Sequence, residues 1–191
     1  QNVIDAAINQ GVKKVLLVST DKAAQPVNLY GSTKLCAEKL FINGNSYSPS
    51  PKGTRFSCVR YGNVVGSRGS IVEHLLKNPN PAVVQLTDDR MTRFWITLEQ
   101  SFELVLFALS NMEGGEIFVP RIPSMKVADM FSAFAPKAKQ EIVGIRPGEK
   151  LHEVLITEYE VPRTKDAGSA FVVRPEFGWD LPWLDKKSLV K

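Results

Sequence analysis

Apolar and polar positions follow two different periods along this chain, and each change of period marks an expected element. Val15-Leu16-Leu17-Val18 is a continuous apolar run bounded by Lys13 and Lys14 on one side and Ser19-Thr20-Asp21-Lys22 on the other. It reads as a parallel strand covered on both faces, with the polar residues emerging at its carboxyl end. Residues 2–9 place Val3, Ile4, Ala7 and Ile8 on one helical face, closed by Gly11. Pro26 and Asn28 are start signals for a second helix, continued by Leu35, Ala37, Leu40 and Phe41 to about Ile42. A polar loop with Pro49 and Pro51 follows, and residues 55–61 read as the next strand.

Further on, residues 71–77 form a short helical pattern that Asn78-Pro79-Asn80-Pro81 breaks. Brief strands are expected at 83–86 and 91–96. Residues 98–111 are the clearest amphipathic helix, with Phe102, Val105, Leu106 and Leu109 as the expected buried stripe. A strand at 116–119 precedes a helix capped by Ser124, with Val127, Met130, Phe131 and Phe134 inward. Residues 141–145 read as a strand, Arg146-Pro147-Gly148 as a turn, and a helix from about Glu149 as an anion-facing amino end. From Tyr159 on, with Trp179 and Trp183, a docked terminal segment is expected. Strands alternating with helices give an α/β fold, a doubly wound parallel sheet.

Charge and cysteine usage narrow the function. A net +4 is mild, and its lysines and arginines are scattered among acids. Nucleic acid would need a clustered basic stripe, whereas a nucleotide diphosphate accounts for the excess. Cys36 lies in the second helix and Cys58 in an apolar strand, so buried free thiols are expected rather than a disulfide. His74 and His152 are far apart, with no Cys/His cluster for a metal. No apolar run is long enough to span a membrane, no signal peptide is present, and the expected location is cytoplasmic.

Candidate chemistry gathers at the end of the first strand, where open α/β sheets bind ligands. Tyr30 and Lys34 share a helical face. A tyrosine titrates near pH ~10, too high for a base at neutral pH, and an adjacent ammonium favours its phenolate. Such a pair can take a proton from a hydroxyl while a nicotinamide takes the hydride. Taken alone, Tyr-x-x-x-Lys is more often a surface helix; the strand, the Ser-Thr-Asp-Lys loop and the helix start beside it reverse that reading. Asp21 and Lys22 bring a second acid/base pair, which suggests oxidation coupled to elimination.

Ser19-Thr20-Asp21-Lys22-Ala23-Ala24 with Asn28-Leu29-Tyr30-Gly31-Ser32-Thr33-Lys34 resembles the extended short-chain dehydrogenase/reductase superfamily. More narrowly, it is similar to the inverting UDP-N-acetylglucosamine 4,6-dehydratases. Three further blocks carry the resemblance: the run from Arg60 to Ser70, Met91-Thr92-Arg93-Phe94-Trp95-Ile96, and the run from Gly144 to Glu153. The resemblance implies a Rossmann-like NADP-binding domain whose second half occupies residues 1–70. Residues 71–160 would be mainly a nucleotide-sugar lobe with a return to the sheet, and 161–191 a tail. The glycine-rich pyrophosphate turn that opens such a domain is not found, so the chain is expected to be a carboxyl-terminal fragment, inactive and poorly stable alone.

The resemblance also implies roles. Thr20, Asp21, Lys22, Tyr30 and Lys34 would be catalytic. Ser19, Tyr30, Lys34, Tyr61, Gly62, Asn63 and Val64 would hold NADP, in preference to NAD. Asn63, Arg68, Arg90, Arg93, Arg146 and Glu149 would hold UDP-N-acetylglucosamine; Arg90 and Arg93 read equally as surface ion pairs without the resemblance, and His152 as a packed residue. Tyrosine at position 30 favours inversion at C5, because the retaining dehydratases tend to carry methionine there. A 4-epimerase would use Tyr30 and Lys34 alone. A homo-oligomer, often a hexamer, and surface or flagellar sugars such as pseudaminic acid complete the expectation.

Overall fold

The computed structural model describes residues 1–48 and 53–176, so Pro49, Pro51, Trp179 and Trp183 lie outside the described residues. The chain divides into two compact units, one of residues 1–61, 102–121 and 154 onward, the other of residues 62–101 and 122–153.

The first unit is built on helix α1 (Asn2–Asn9), strand β1 (Lys14–Thr20), a single 3₁₀ turn (Asp21–Ala23), helix α2 (Leu29–Gly44) and strand β2 (Arg55–Tyr61). Most of helix α4 (Leu98–Asn111), strand β6 (Ile117–Pro120), and a hairpin of β9 (Thr164–Asp166) and β10 (Ala170–Val173) complete it. The sheet order is β1-β2-β6-β10-β9, with β1, β2 and β6 parallel and the last two strands antiparallel. The hairpin turns through Gly168 at φ +88°, a conformation open to glycine. Part of the segment expected to dock as a tail therefore joins the sheet.

Both faces of β2 are covered, as a doubly wound sheet requires. Phe56 packs with Ile4 and Ala7 of α1, and Phe41 of α2 lies against that cluster. On the alternate face Val59 joins Phe118, Val172, Leu104 and Ala108 of α4, and Met112 just past its end. Strand β1 departs from expectation: β2 is its one neighbour among the described strands, and Val18 is 45% exposed. An apolar run signals a strand but not how many neighbours it has.

Helix α4 forms where expected, and Val105 and Leu109 of the expected stripe pack against the core, but the other two positions do not. Leu104, Ala108 and Met112 face the core, while Phe102 is 61% exposed and Leu106 is exposed too. Because 102–109 is apolar at nearly every position, its periodicity fits more than one phase. Cys36 is exposed, against expectation, while Cys58 is buried; burial, then the Glu38 carboxylate, push the Cys58 thiol well above its ordinary range.

The second unit contains β3 (Asn63–Val64), α3 (Ile71–Lys77), β4 (Val83–Leu86), β5 (Thr92–Ile96), β7 (Ser124–Lys126), α5 (Val127–Phe134) and β8 (Lys139–Ile142). Its strands pair as β3-β5-β7 and β4-β8 around a core that includes Leu75, Leu86, Met91, Met130 and Phe131. Ser124 opens strand β7 instead of capping α5, whose N-cap is Lys126 without a side-chain bond. Phe134, at the helix end, is exposed. The expected strand at 141–145 sits earlier, at 139–142. No helix starts at Glu149: residue His152 instead bridges Thr92 in parallel, so the anion-facing helix end expected there does not form. Among the described residues no helix is long and apolar enough to cross a membrane.

Candidate active site

Strand β1 delivers Ser19 and Thr20 to its carboxyl end, and the chain turns at once into the 3₁₀ turn that carries Asp21 and Lys22. Thr20 caps that turn: its Oγ1 accepts from the Lys22 N–H at 3.4 Å and donates to Asp21 Oδ1 at 2.8 Å. Lys22 Nζ donates to the same oxygen at 2.9 Å. Asp21 is fully buried, yet its other oxygen, Oδ2, meets no partner, and neither does the buried Ser19 Oγ. The structure thus ties Thr20, Asp21 and Lys22 into one hydrogen-bonded cluster with an acceptor left open.

Helix α2 begins at Asn28, whose side chain accepts from the Gly31 N–H at 2.8 Å. Tyr30 lies in its first turn, 53% exposed, and Lys34 is half-buried one turn on. Gly31 between them sets the approach of the helix. A Cβ there would run into the carbonyl oxygen of Lys22, so only glycine lets α2 lie against the turn that bears Asp21 and Lys22. Sequence reasoning quoted Gly31 as part of a motif without seeing this role; its place beside Tyr30 was the available signal.

A second buried charge cluster was missed altogether. Arg60 of β2 donates to Glu38 Oε1 at 3.0 Å and Oε2 at 2.6 Å, and to Glu160 Oε2 and Oε1 at 2.9 Å each. It also donates to the Leu155 carbonyl at 2.9 Å, so all five guanidinium N–H groups are used. Burial alone would push Arg60 down, but the hydrogen bonds with Glu38 and then Glu160 outweigh it and hold the guanidinium up. Burial likewise raises Glu160, and the Arg60 bonds reverse this to hold its carboxyl below the ordinary range. Glu38 sits one turn beyond Lys34, so this clamp fastens the helix that carries Tyr30 to strand β2. A lone arginine within Phe56-Ser57-Cys58-Val59-Arg60 was the signal.

Tyr61 ends β2, half-buried, and burial raises its phenol. In the second unit Gly62 packs so closely that a Cβ would stand 2.6 Å from both Phe94 Cβ and Phe94 O. Asn63 and Val64 form β3, and the Asn63 Oδ1 is buried without a partner. Arg68 lies in the exposed loop before α3. Arg90 is exposed and held by Asp88, at 3.0 Å through Nε and 2.8 Å through Nη2, which holds the Asp88 carboxyl well below its usual range. Arg93 donates to the carbonyls of Thr92, Lys150 and Leu151 at 2.7, 3.0 and 3.2 Å. Arg146 is exposed in a turn where its carbonyl accepts from Glu149 N–H at 3.0 Å. His152 Nδ1 shares a 2.8 Å hydrogen bond with Thr92 Oγ1. Of the arginines singled out for diphosphate, Arg90 and Arg93 are each engaged with protein groups.

Comparison with known proteins places this geometry in context. The chain is 50% identical over 177 residues to the inverting UDP-N-acetylglucosamine 4,6-dehydratase of Campylobacter jejuni, covering 92% of this chain and 53% of that one. It spans about half the length of the curated relatives it matches. The crystal structure of Pen from Bacillus thuringiensis superposes with a TM-score of 0.83 at 37% identity, covering 92% of this chain and 56% of that one. The Thermus thermophilus UDP-glucose 4-epimerase, in complex with NAD, shares the fold with a TM-score of 0.64 at 20% identity, over 100% of this chain and 68% of that one. The pattern of the polysaccharide biosynthesis proteins matches residues 1–175, and this chain belongs to that family.

Proposed function

We propose that this chain carries the acid/base machinery of a nucleotide-sugar 4,6-dehydratase that inverts C5 of UDP-N-acetylglucosamine. The observation that carries the reading is the buried Asp21 joined to Lys22 at 2.9 Å, with its Oδ2 left open. The name and 50% identity of the Campylobacter relative support it.

The residues at the end of β1 suit a hydrogen-bonding cofactor, since Ser19 Oγ is buried there with no protein partner. Ser19, Tyr30, Lys34 and Tyr61 of the first unit would hold a nicotinamide dinucleotide. When bound, that group supplies a hydride acceptor at C4 and returns the hydride at C6. The chain's own residues manage the protons. Tyr30 takes the proton of the 4-hydroxyl, with Lys34 favouring its phenolate, while Thr20 hydrogen-bonds the 4-oxygen. The 4-ketone acidifies the C5 proton, which Lys22 removes as the free amine. Asp21, as the carboxylic acid, protonates the departing 6-hydroxyl, which leaves as water. One proton passed from Lys22 to Asp21 creates both required forms together. Reprotonation of C5 on the opposite face gives inversion.

A 4-epimerase needs only Tyr30 and Lys34 and leaves buried Asp21, paired with part-exposed Lys22, without work. A retaining dehydratase is the sibling reading, and Tyr30 weighs against it. NADP in place of NAD, and a homo-oligomer such as a hexamer, belong to the same proposal. They are read from the cofactor released on denaturation and from light scattering.

The deciding experiment incubates the chain, extended to the full length of its relatives, with UDP-N-acetylglucosamine in deuterated water and follows the product by proton NMR. The expected product is a 6-deoxy-4-keto sugar, deuterated and inverted at C5. Retention at C5 moves the chain to the sibling class, and a 4-epimer without loss of water overturns the role of Asp21 and Lys22.

A further inference from the structure

One strained backbone position lies on the segment that joins Lys22 to Tyr30. Gln25 has φ +50°, and every other positive-φ position among the described residues is a glycine. A Cβ makes that left-handed region unfavourable, and glutamine lacks the short polar group that lets asparagine or aspartate visit it. The following Pro26 adds to the strain, because the residue before a proline is steered to extended backbone. Such outliers persist only where the surroundings over-determine them, and they gather at functional sites.

Gln25 is held from both sides. Before it, Ala23 and Ala24 are buried, and the Ala24 N–H donates to the Asp21 carbonyl at 3.0 Å, closing the turn that carries Lys22. After it, Pro26 lies against the first turn of α2: a Cβ at Gly31 would stand 3.0 Å from the Pro26 Cβ and would also run into the Lys22 carbonyl. The Asn28 side chain then accepts from the Gly31 N–H at 2.8 Å. The chain thus leaves the Lys22 turn, passes through the left-handed Gln25 and is pressed back on to the helix that presents Tyr30. The Gln25 side chain is exposed, so its own burial is not what holds this conformation.

We propose that Gln25 is a positioning residue whose left-handed backbone sets how Tyr30 stands relative to the Asp21–Lys22 turn. This rests on the dehydratase reading above. In that reading Tyr30 acts at C4 while Lys22 and Asp21 act at C5 and C6 of the same sugar, so both pairs must be aligned on one substrate. The short segment between them fixes that alignment through its backbone. Contacts that hold the rest of the nucleotide sugar do not pass through Gln25, so its effect falls on the chemical step and not on substrate binding.

The test is steady-state kinetics with UDP-N-acetylglucosamine on the chain extended to the length of its relatives, comparing Gln25→Val with Gln25→Asn. Valine is β-branched and resists positive φ, whereas asparagine adopts it readily. Gln25→Val is expected to lower kcat about ten- to a hundredfold, the scale of a misplacement of about 1 Å, with KM held within about twofold. Gln25→Asn is expected to keep both constants near those of the wild type, a rescue through the backbone. A Gln25→Val protein with a lowered Tm but the wild-type kcat well below that Tm overturns the proposal, since the conformation then serves stability alone. An equal loss of kcat in both variants also overturns it, because the glutamine side chain is then what acts. Should Gln25→Val fail to fold, Gln25→Ala decides: kcat is expected to fall about three- to tenfold, and an unchanged kcat overturns the positioning role. A wild type that leaves UDP-N-acetylglucosamine unconverted overturns the dehydratase reading, and the role of Gln25 with it.

Discussion

Two buried charge clusters stand in the same unit and are finished in opposite ways. At Arg60 every guanidinium N–H has an oxygen, drawn from Glu38, Glu160 and the Leu155 carbonyl. At Asp21 one oxygen takes both Thr20 and Lys22, and the other takes nothing. Saturation of this kind suits a group whose task is to hold elements together, because any loss exposes an unpaired charge to a low dielectric. An open valence in a buried carboxylate is tolerated only where something else is to meet it. Both clusters bear on α2, which Glu38 fastens at one point and Gly31 seats against the Lys22 carbonyl at another.

The contrast can be broken from either side. The largest effect is expected from Asp21→Asn, which keeps the shape and removes the exchangeable proton. In the full-length protein kcat should fall about 10²- to 10⁴-fold, with the denaturant midpoint moved far less; near-normal turnover would remove Asp21 from the mechanism. Next comes Glu38→Ala, which leaves Arg60 underpaired. Urea unfolding should show a loss of about 3–5 kcal/mol, and a loss under 1 kcal/mol would mean that the clamp is no clamp. Gly31→Ala should cost roughly 1–3 kcal/mol by overpacking and lower kcat as well, since the helix must retreat from the Lys22 turn. If it lowers stability alone, Gly31 seats the helix without placing Tyr30.

Acid gives the gentlest test. The folded-state carboxyl of Glu160 lies below its ordinary value of 4.5. Its contribution is therefore complete above that value and lost as pH falls through the lower, folded one. Stability measured from pH 7 downward should hold to about 4.5 and then decline, less steeply in Glu160→Gln. Equal slopes in the two proteins would take Glu160 out of the acid transition.

Much of this was legible beforehand, where short-range rules decide. The strands at 55–61 and 83–86 and the helices at 71–77 and 98–111 fall where the periodicity placed them. Asn28 caps α2 as its side chain predicts. Failures came where partners distant in sequence decide. Phe102 and Leu106 of the expected α4 stripe are exposed, while Val105 and Leu109 pack inward, because several phases were equally apolar. The helix expected at Glu149 gave way to a bridge with Thr92, since Arg93 supplies its guanidinium to the carbonyls of Lys150 and Leu151. Local turn signals contain no information about an arginine more than fifty residues away.

By itself the sequence determined which residues could do acid/base chemistry and that a strand end and a helix start would carry them. Those are consequences of side-chain type, periodicity and capping, all of which act within a few residues. Only the tertiary structure decided that Asp21 is buried with one oxygen open, that Gly31 must be a glycine, and that Arg60 locks helix α2. Burial and hydrogen-bond saturation are properties of what surrounds an atom, and those surroundings come from parts of the chain that meet only on folding.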